Sequence, residues 1–320
     1  MPRATTDEAR AVAEELLGHT VEGVWPYKPA VGGDDSYSFR ARAVGRSMLL
    51  KIKRRPGTPV GVYFHERIRR AGVPVPELLG FNATVGPEGQ ACALWEWVDG
   101  VPAAWGEGEP CPYDEAEFGR MLRTIHELRF DGPFGVLGDD PGMPRPGSHP
   151  DLGPVSDTWA GFFGCDRAAR RYLDRGYLTA EEAERLAGLP ERLAPELNAA
   201  KRRLLHMGDI MHQGNMILDP HTGRIRAVVD YVESAAGDPR WELAWVDYYF
   251  AQYPFAEPGF DVRRFRRAYE TGYDPDDPVG RFYLLAILVF EKLRFFDPAS
   301  ERGRWGIRTV KELLTTFGFG

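Results

Sequence analysis

Two acidic segments follow one another in the C-terminal half of this chain: LLHMGDIMHQGNMILD, with Asp209 and Asn215, then RIRAVVDYVESAAGDP, with Asp230 and Asp238. Taken singly, an Asp shortly before an Asn is most often only a turn. Here the two segments are joined by apolar runs on either side of a polar stretch at 219–223, the pattern of a β-hairpin. The second run, 225–229, reads as a strand that ends at Asp230, where buried main chain can fix the side-chain rotamer. Few folds need two acids and an amide spaced in this order, so the pair of motifs constrains the chain more than any other feature.

Composition narrows the classes around that feature. With 43% apolar and 27% charged residues in 320 positions, the chain has material for a sizeable core, in one large domain or two lobes. Its net charge is −7 and its basic residues are dispersed, which argues against nucleic acid and for a small-molecule partner. The longest apolar run, 282–290, is far too short to span a bilayer, and MPRATTDEAR lacks the apolar core of a signal peptide. Cys92, Cys111 and Cys165 have no CxxC spacing, and an odd number suits a reducing compartment, so a cytoplasmic protein is expected.

Along the chain, Thr6 and the DEARAVAEELLGH that follows it read as a capped amphipathic helix ending at Gly18. Strands are expected at 37–43 and 47–53, joined near Gly45, then a helix at about 60–71 and two further strands in VPVPELLGF and ACALWEWVDG. This smaller, β-rich part closes near residue 98. Beyond it, 113–128 has apolar residues at helical spacing, and the Pro/Gly-rich stretch 131–154 reads as a long loop. Helices are expected at 156–173, 179–201, 239–253, 261–271, 279–296 and 300–316. The fold class is therefore α+β, with lobes at 1–98 and 99–320.

The residue types suit phosphoryl transfer, in which an enzyme mainly positions reactants and neutralises charge. Asp209 would orient or deprotonate an acceptor hydroxyl. Asn215 and Asp230 offer hard oxygen ligands for Mg2+, and Lys51 in LLKIK would pair with nucleotide phosphates. Lys53 points to the same strand face and is the rival for that role.

At these segments the chain resembles the aminoglycoside phosphotransferase family, relatives of hygromycin, choline and fructosamine kinases with the protein-kinase fold. The resemblance runs through LLKIK, AGVPVPELLGF, ALWEWVDG, FGRMLRTIHEL, LLHMGDIMHQGNMILD and AVVDYVESAAGDPRWELAW. It implies a bilobal protein-kinase-like fold with a small N-lobe, a larger mostly helical C-lobe, and ATP or GTP as phosphate donor. It further implies that main-chain groups at Glu96 and Val98 meet the nucleobase and that Gly33 and Ser36, with Gly32, lie in a phosphate-covering loop. Glu66 would be a partner for Lys51, and Asp238 would brace the catalytic loop. The acceptor would be an antibiotic, sugar or nucleoside-type molecule bearing a hydroxyl.

One departure from the pattern stands out. Five residues separate Asp209 from Asn215 where the family has four, and Met207 sits where its His is usual, with His206 one residue further away. Gly208 and Gly214 flank the segment and permit a bulge. The departure keeps a second reading open, a kinase-like nucleotide-binding module with impaired catalysis. A third, a metal-dependent hydrolase using His206, Asp209 and His212, has spacing that fits neither a helical pair nor a zinc hairpin. His126, on the 113–128 helix, reads as a core histidine.

Overall fold

The computed structural model describes residues 4–28, 35–103, 114–140, 144–145, 152, 155–211, 214–252 and 259–317. Helix α1 (Thr6–Leu17) is capped at Thr5, whose hydroxyl accepts the Glu8 N–H while the Glu8 carboxylate accepts the Thr5 N–H. Next come β1 (Gly23–Tyr27), β2 (Ser36–Ala43), β3 (Arg46–Lys53), α2 (Val62–Arg70), β4 (Leu78–Asn82) and β5 (Cys92–Glu96). The five strands form one antiparallel sheet in the order β1-β2-β3-β5-β4.

Alternation along β3 decides what each face of this sheet does. Met48, Leu50 and Ile52 enter a core with Ala9, Val12 and Ala13 of α1. Leu49, Lys51 and Lys53 point the other way and line a cleft. One face is thus sealed by α1, and the opposite face carries the cations.

The chain continues through β6 (Val101–Pro102), α3 (Glu115–Glu127), β7 (Gly135–Leu137), β8 (Pro144–Arg145), α4 (Cys165–Asp174), α5 (Ala180–Arg192) and α6 (Ala194–Asn198). Then follow β9 (Arg203–Leu205), β10 (Met216–Leu218), β11 (Ile225–Val228), β12 (Ala235–Gly237), α7 (Arg240–Asp247), α8 (Val262–Tyr269), α9 (Pro278–Ala286) and α10 (Glu301–Thr316). A second core runs from α2 and Trp95 through α3 to α9 and α10, so the cleft face of the sheet and the helical part share one interior. The result is the small sheet part and larger helical part of the α+β, bilobal fold class.

Several elements differ from their sequence pattern, for local reasons. The stretch 131–154 is not loop throughout: β7 and β8 join β12 and β9 in a sheet of order β8-β7-β12-β9, with strands of two or three residues, too short to show an alternation. Residues 156–173 do not form one helix. A 3-10 turn at Ala160–Phe162 precedes α4, because Trp159, Phe162 and Phe163 pack on one another in the core instead of sharing a helical stripe. The 179–201 helix is divided at Leu193, with Pro195 in the opening turn of α6, where a missing N–H is tolerated. Helices α7 and α9 each run on into a π-helical turn, Tyr248–Gln252 and Ile287–Lys292. Among the described residues no helix is long and apolar enough to cross a membrane. Cys92 and Cys165 are buried, and Cys111 lies outside the described residues.

Candidate active site

Strands β10 and β11 form the hairpin read from the sequence, closed where the Asp219 carboxylate accepts the N–H groups of His221 and Thr222. Met216 pairs with Val228, and the Val229 N–H donates to the Asn215 carbonyl at 2.8 Å. That register sets Asn215 next to the residue preceding Asp230. Both side chains line the cleft below the sheet, with Lys51 above: its Nζ is 3.7 Å from Asp230 Oδ2.

Asp230 occupies the left-handed backbone region, at φ 65, which a non-glycine residue holds only when its surroundings enforce it. Lys51 beside it, and Lys53 further off, hold its carboxyl below the usual carboxylate range against the opposing effect of burial. The site therefore presents an ionised oxygen ligand facing a lysine. Tyr27, Leu49, Trp97, Val98 and Ile217 make the rest of the lining largely apolar. A flat, mostly apolar ring and a charged tail fit such a cleft.

The chain bearing Asp209 is braced from below. Glu242 on α7 is fully buried; its Oε1 accepts the Gly208 N–H at 2.7 Å and its Oε2 accepts the His206 N–H at 3.1 Å. His126 Nε2 lies 2.7 Å from the same Oε2, and its Nδ1 lies 2.8 Å from the Tyr269 hydroxyl. Burial alone would push the Glu242 carboxyl up, but the hydrogen bonds to His126 and Gly208 outweigh it and the group is held below its ordinary value. His126 is the core histidine its helix suggests, with the added task of holding Glu242.

Asp209 opens a 3-10 turn, Asp209–Met211, directly after Gly208; its side chain, like His212 and Gln213, lies outside the described residues. Gly208 and Gly214 have φ of 80 and 92, so both ends of the lengthened loop use conformations that glycine allows. The His206 ring packs between Phe64 of α2 and Tyr231, and burial pushes its imidazole down against the opposing charges of Glu242 and Asp230. Among the described residues no three His, Cys, Asp or Glu side chains group as metal ligands.

Other residues singled out by sequence stand elsewhere. Glu66 does not meet Lys51: its carboxylate is 3.3 Å from Arg69 Nε and 3.5 Å from Arg70 Nη2, partners at i+3 and i+4 on its own helix. The role given to Asp238 belongs to Glu242. Asp238 instead accepts from Arg240 Nε at 2.8 Å and from the Tyr283 hydroxyl at 2.6 Å, pinning the start of α7. Gly33 lies outside the described residues, as does Gly32. Ser36 is buried in β2, donates to Asp35 Oδ1 at 2.7 Å, and does not reach the cleft lining. The Asp35 carboxylate also pairs with buried Lys53, which ties that lysine to the start of β2 and leaves Lys51 facing Asp230. Glu96 lines the cleft, but its N–H donates to the Glu77 carbonyl at 2.8 Å, whereas the Val98 main chain has no hydrogen-bond partner among the described residues.

No curated protein matches the sequence. Among solved structures, aminoglycoside phosphotransferase APH(4)-Ia superposes with a TM-score of 0.63 at 18% identity, over 98% of this chain and 100% of that one. A thermostable mutant of that protein, in ternary complex with ADP and hygromycin B, gives 0.62 at 19% identity, covering 97% and 99%. A putative fructosamine-3-kinase from Thermobifida fusca gives 0.61 at 20% identity, covering 98% and 100%. At such identities the likeness carries the protein-kinase-like fold and no more. The sequence pattern described as "APH: Phosphotransferase enzyme family" matches residues 27–283, from β1 into α9, and so takes in every element that builds the cleft. The chain belongs to the phosphotransferase enzyme family.

Proposed function

We propose that this protein transfers the γ-phosphate of ATP or GTP to a hydroxyl of a small molecule of antibiotic, sugar or nucleoside type, in the cytoplasm. Residues 1–98 would serve as the nucleotide-binding lobe, and 99–320 as the catalytic and acceptor lobe. The observation that carries the reading is Lys51 set 3.7 Å from Asp230 across a cleft that Asn215 and Val98 also line. Binding of nucleotide and hygromycin B by a protein of the same fold supports the substrate classes.

The residues present fit a magnesium ion. Asn215 and Asp230 offer an amide and an ionised carboxylate oxygen, the donor set of a hard cation, and would hold it. Bound there, the ion would neutralise charge on the phosphate oxygens. Val98 offers main-chain groups to the base, Lys51 draws the triphosphate in, and Asp209 orients the acceptor hydroxyl and takes its proton as oxygen attacks the γ-phosphorus. The bond to the β-γ bridging oxygen breaks, and the nucleoside diphosphate leaves. Glu242 fixes the main chain next to Asp209, and the 3-10 turn takes up the additional residue, which favours catalysis over a disabled module.

The test is a screen of hydroxylated antibiotics and metabolites for gain of a phosphate by mass, with ATP and GTP as donors. It is paired with two variants. Asp209→Ala should bind nucleotide as the wild type does and lose turnover by about a hundredfold or more; near-native transfer by that variant would overturn the assignment of the base. Asp230→Ala should lose magnesium-dependent nucleotide binding, and an unchanged affinity by calorimetry counts against the metal site.

A further inference from the structure

Helix α2 has no cap of its own. The residue before it, Gly61, lacks a side chain, and the N–H groups that open the helix converge on an acid far along the chain. Asp139 Oδ1 accepts from Gly61 at 2.7 Å, Val62 at 2.9 Å and Val60 at 3.1 Å, and its Oδ2 lies 3.0 Å from the Val60 nitrogen. A carboxylate there also complements the helix dipole, whose other end carries Arg67, Arg69 and Arg70.

Asp139 stands two residues beyond β7, and β7 is anchored to β12: Val136 pairs with Ala235, and the Leu137 N–H donates to Ser234 at 2.8 Å. Strand β12 begins five residues after Asp230. On its other side the same turn leans on Tyr231, so closely that a Cβ on Gly61 would stand 2.5 Å from the Tyr231 Cβ and carbonyl oxygen. Residues 60–62 are thus gripped between Asp139 and the neighbour of the proposed metal ligand, and Val60 itself lines the cleft. Glu66, the acid that α2 carries toward its middle, is turned to Arg69 and Arg70, so the Lys51–Asp230 pair does not anchor the helix.

We infer that Asp139 is a positioning residue for nucleotide binding: by capping α2 from the helical part of the molecule, it holds Val60 and Tyr231 in place and with them the Asp230 carboxylate opposite Lys51. The inference rests on the nucleotide-binding reading of the cleft.

Asp139→Ala and Asp139→Asn test it by amide hydrogen exchange at residues 60–62 without ligand, and by calorimetry with magnesium and ATP or GTP. Asp139→Ala should exchange faster at those amides and bind nucleotide about tenfold more weakly, because bound nucleotide must then supply the ordering that the cap gave, a cost on the scale of the cap itself. Asp139→Asn keeps one accepting oxygen and should fall between the wild type and Asp139→Ala. In turnover assays KM for nucleotide should rise more than kcat falls. If Asp139→Ala does not fold, Asp139→Asn carries the same comparison. Nucleotide affinity equal to wild type overturns the inference, even with faster exchange, since the cap would then serve stability alone. A wild-type protein that binds no nucleotide overturns the reading of the cleft instead, and is recognised because wild type and variants fail alike.

Discussion

Replacing Glu242 with Gln tests whether the buried carboxylate is what holds the Asp209 loop. The change keeps shape and volume, so its effect is one of hydrogen bonding and charge. Oε1 accepts the Gly208 N–H at 2.7 Å, and Oε2 accepts the His206 N–H at 3.1 Å and lies 2.7 Å from His126 Nε2. Whichever way the amide is turned, its NH2 group faces one of the two main-chain N–H groups, and that donor is left unpaired in a dry core. Orphaning a buried donor and removing the charge that its partners share should together cost about 3 kcal/mol. Urea unfolding measures that loss, and hydrogen exchange at His206 and Gly208 locates it. Because Asp209 follows Gly208 directly, kcat for any acceptor found in the screen should fall by about 10- to 100-fold, while nucleotide affinity stays close to wild type. Stability within about 0.5 kcal/mol of wild type, the range of an ordinary surface change, together with full turnover, would refute the reasoning.

Two further perturbations address other parts of the molecule. Gly61→Ala puts a Cβ 2.5 Å from Tyr231 at a residue with φ 86, so it should lower stability by about 2 kcal/mol or more and depress the thermal midpoint; an unchanged melt would show that the α2 turn yields freely. Burial pushes the imidazoles of His65 and His206 below their ordinary value of 6.5. The folded chain keeps them neutral while the unfolded chain takes up protons, so stability is full above about 6.5 and declines as pH falls toward the folded-state values. The urea midpoint should therefore be lower at about pH 5.5 than at about pH 7.5, and a midpoint that does not move would refute neutral burial of both rings.

What the sequence made legible was local. The β2–β3 and β10–β11 hairpins show strand alternation broken by turn residues within a short span, and the register of the second one is enough to bring Asn215 beside Asp230. Lys51 and Lys53 share a strand face, so pattern alone could not rank them; Asp35 separates them by pairing with Lys53. Glu66 shows the converse. Its partners, Arg69 and Arg70, stand at i+3 and i+4, so helix spacing alone accounts for where its carboxylate goes. The acids that hold the site together were not legible at all. Asp139 reaches back 77 to 79 residues to the start of α2, and Glu242 reaches back 34 and 36 to the segment that leads into Asp209. Each sits in an unremarkable setting, Asp139 in a Gly/Pro-rich stretch and Glu242 in the first turn of a helix, where an acid is favourable for the dipole alone. Neither residue type nor spacing says which distant donors such a carboxylate will meet. That follows from His126 and the 206–208 main chain meeting Glu242 in the core, and from β7 carrying Asp139 across to α2, contacts that exist only once the chain has folded. At Glu242, burial turns an ordinary acid into a brace, because a carboxylate removed from water must find its donors in the protein and so fixes whatever main chain supplies them.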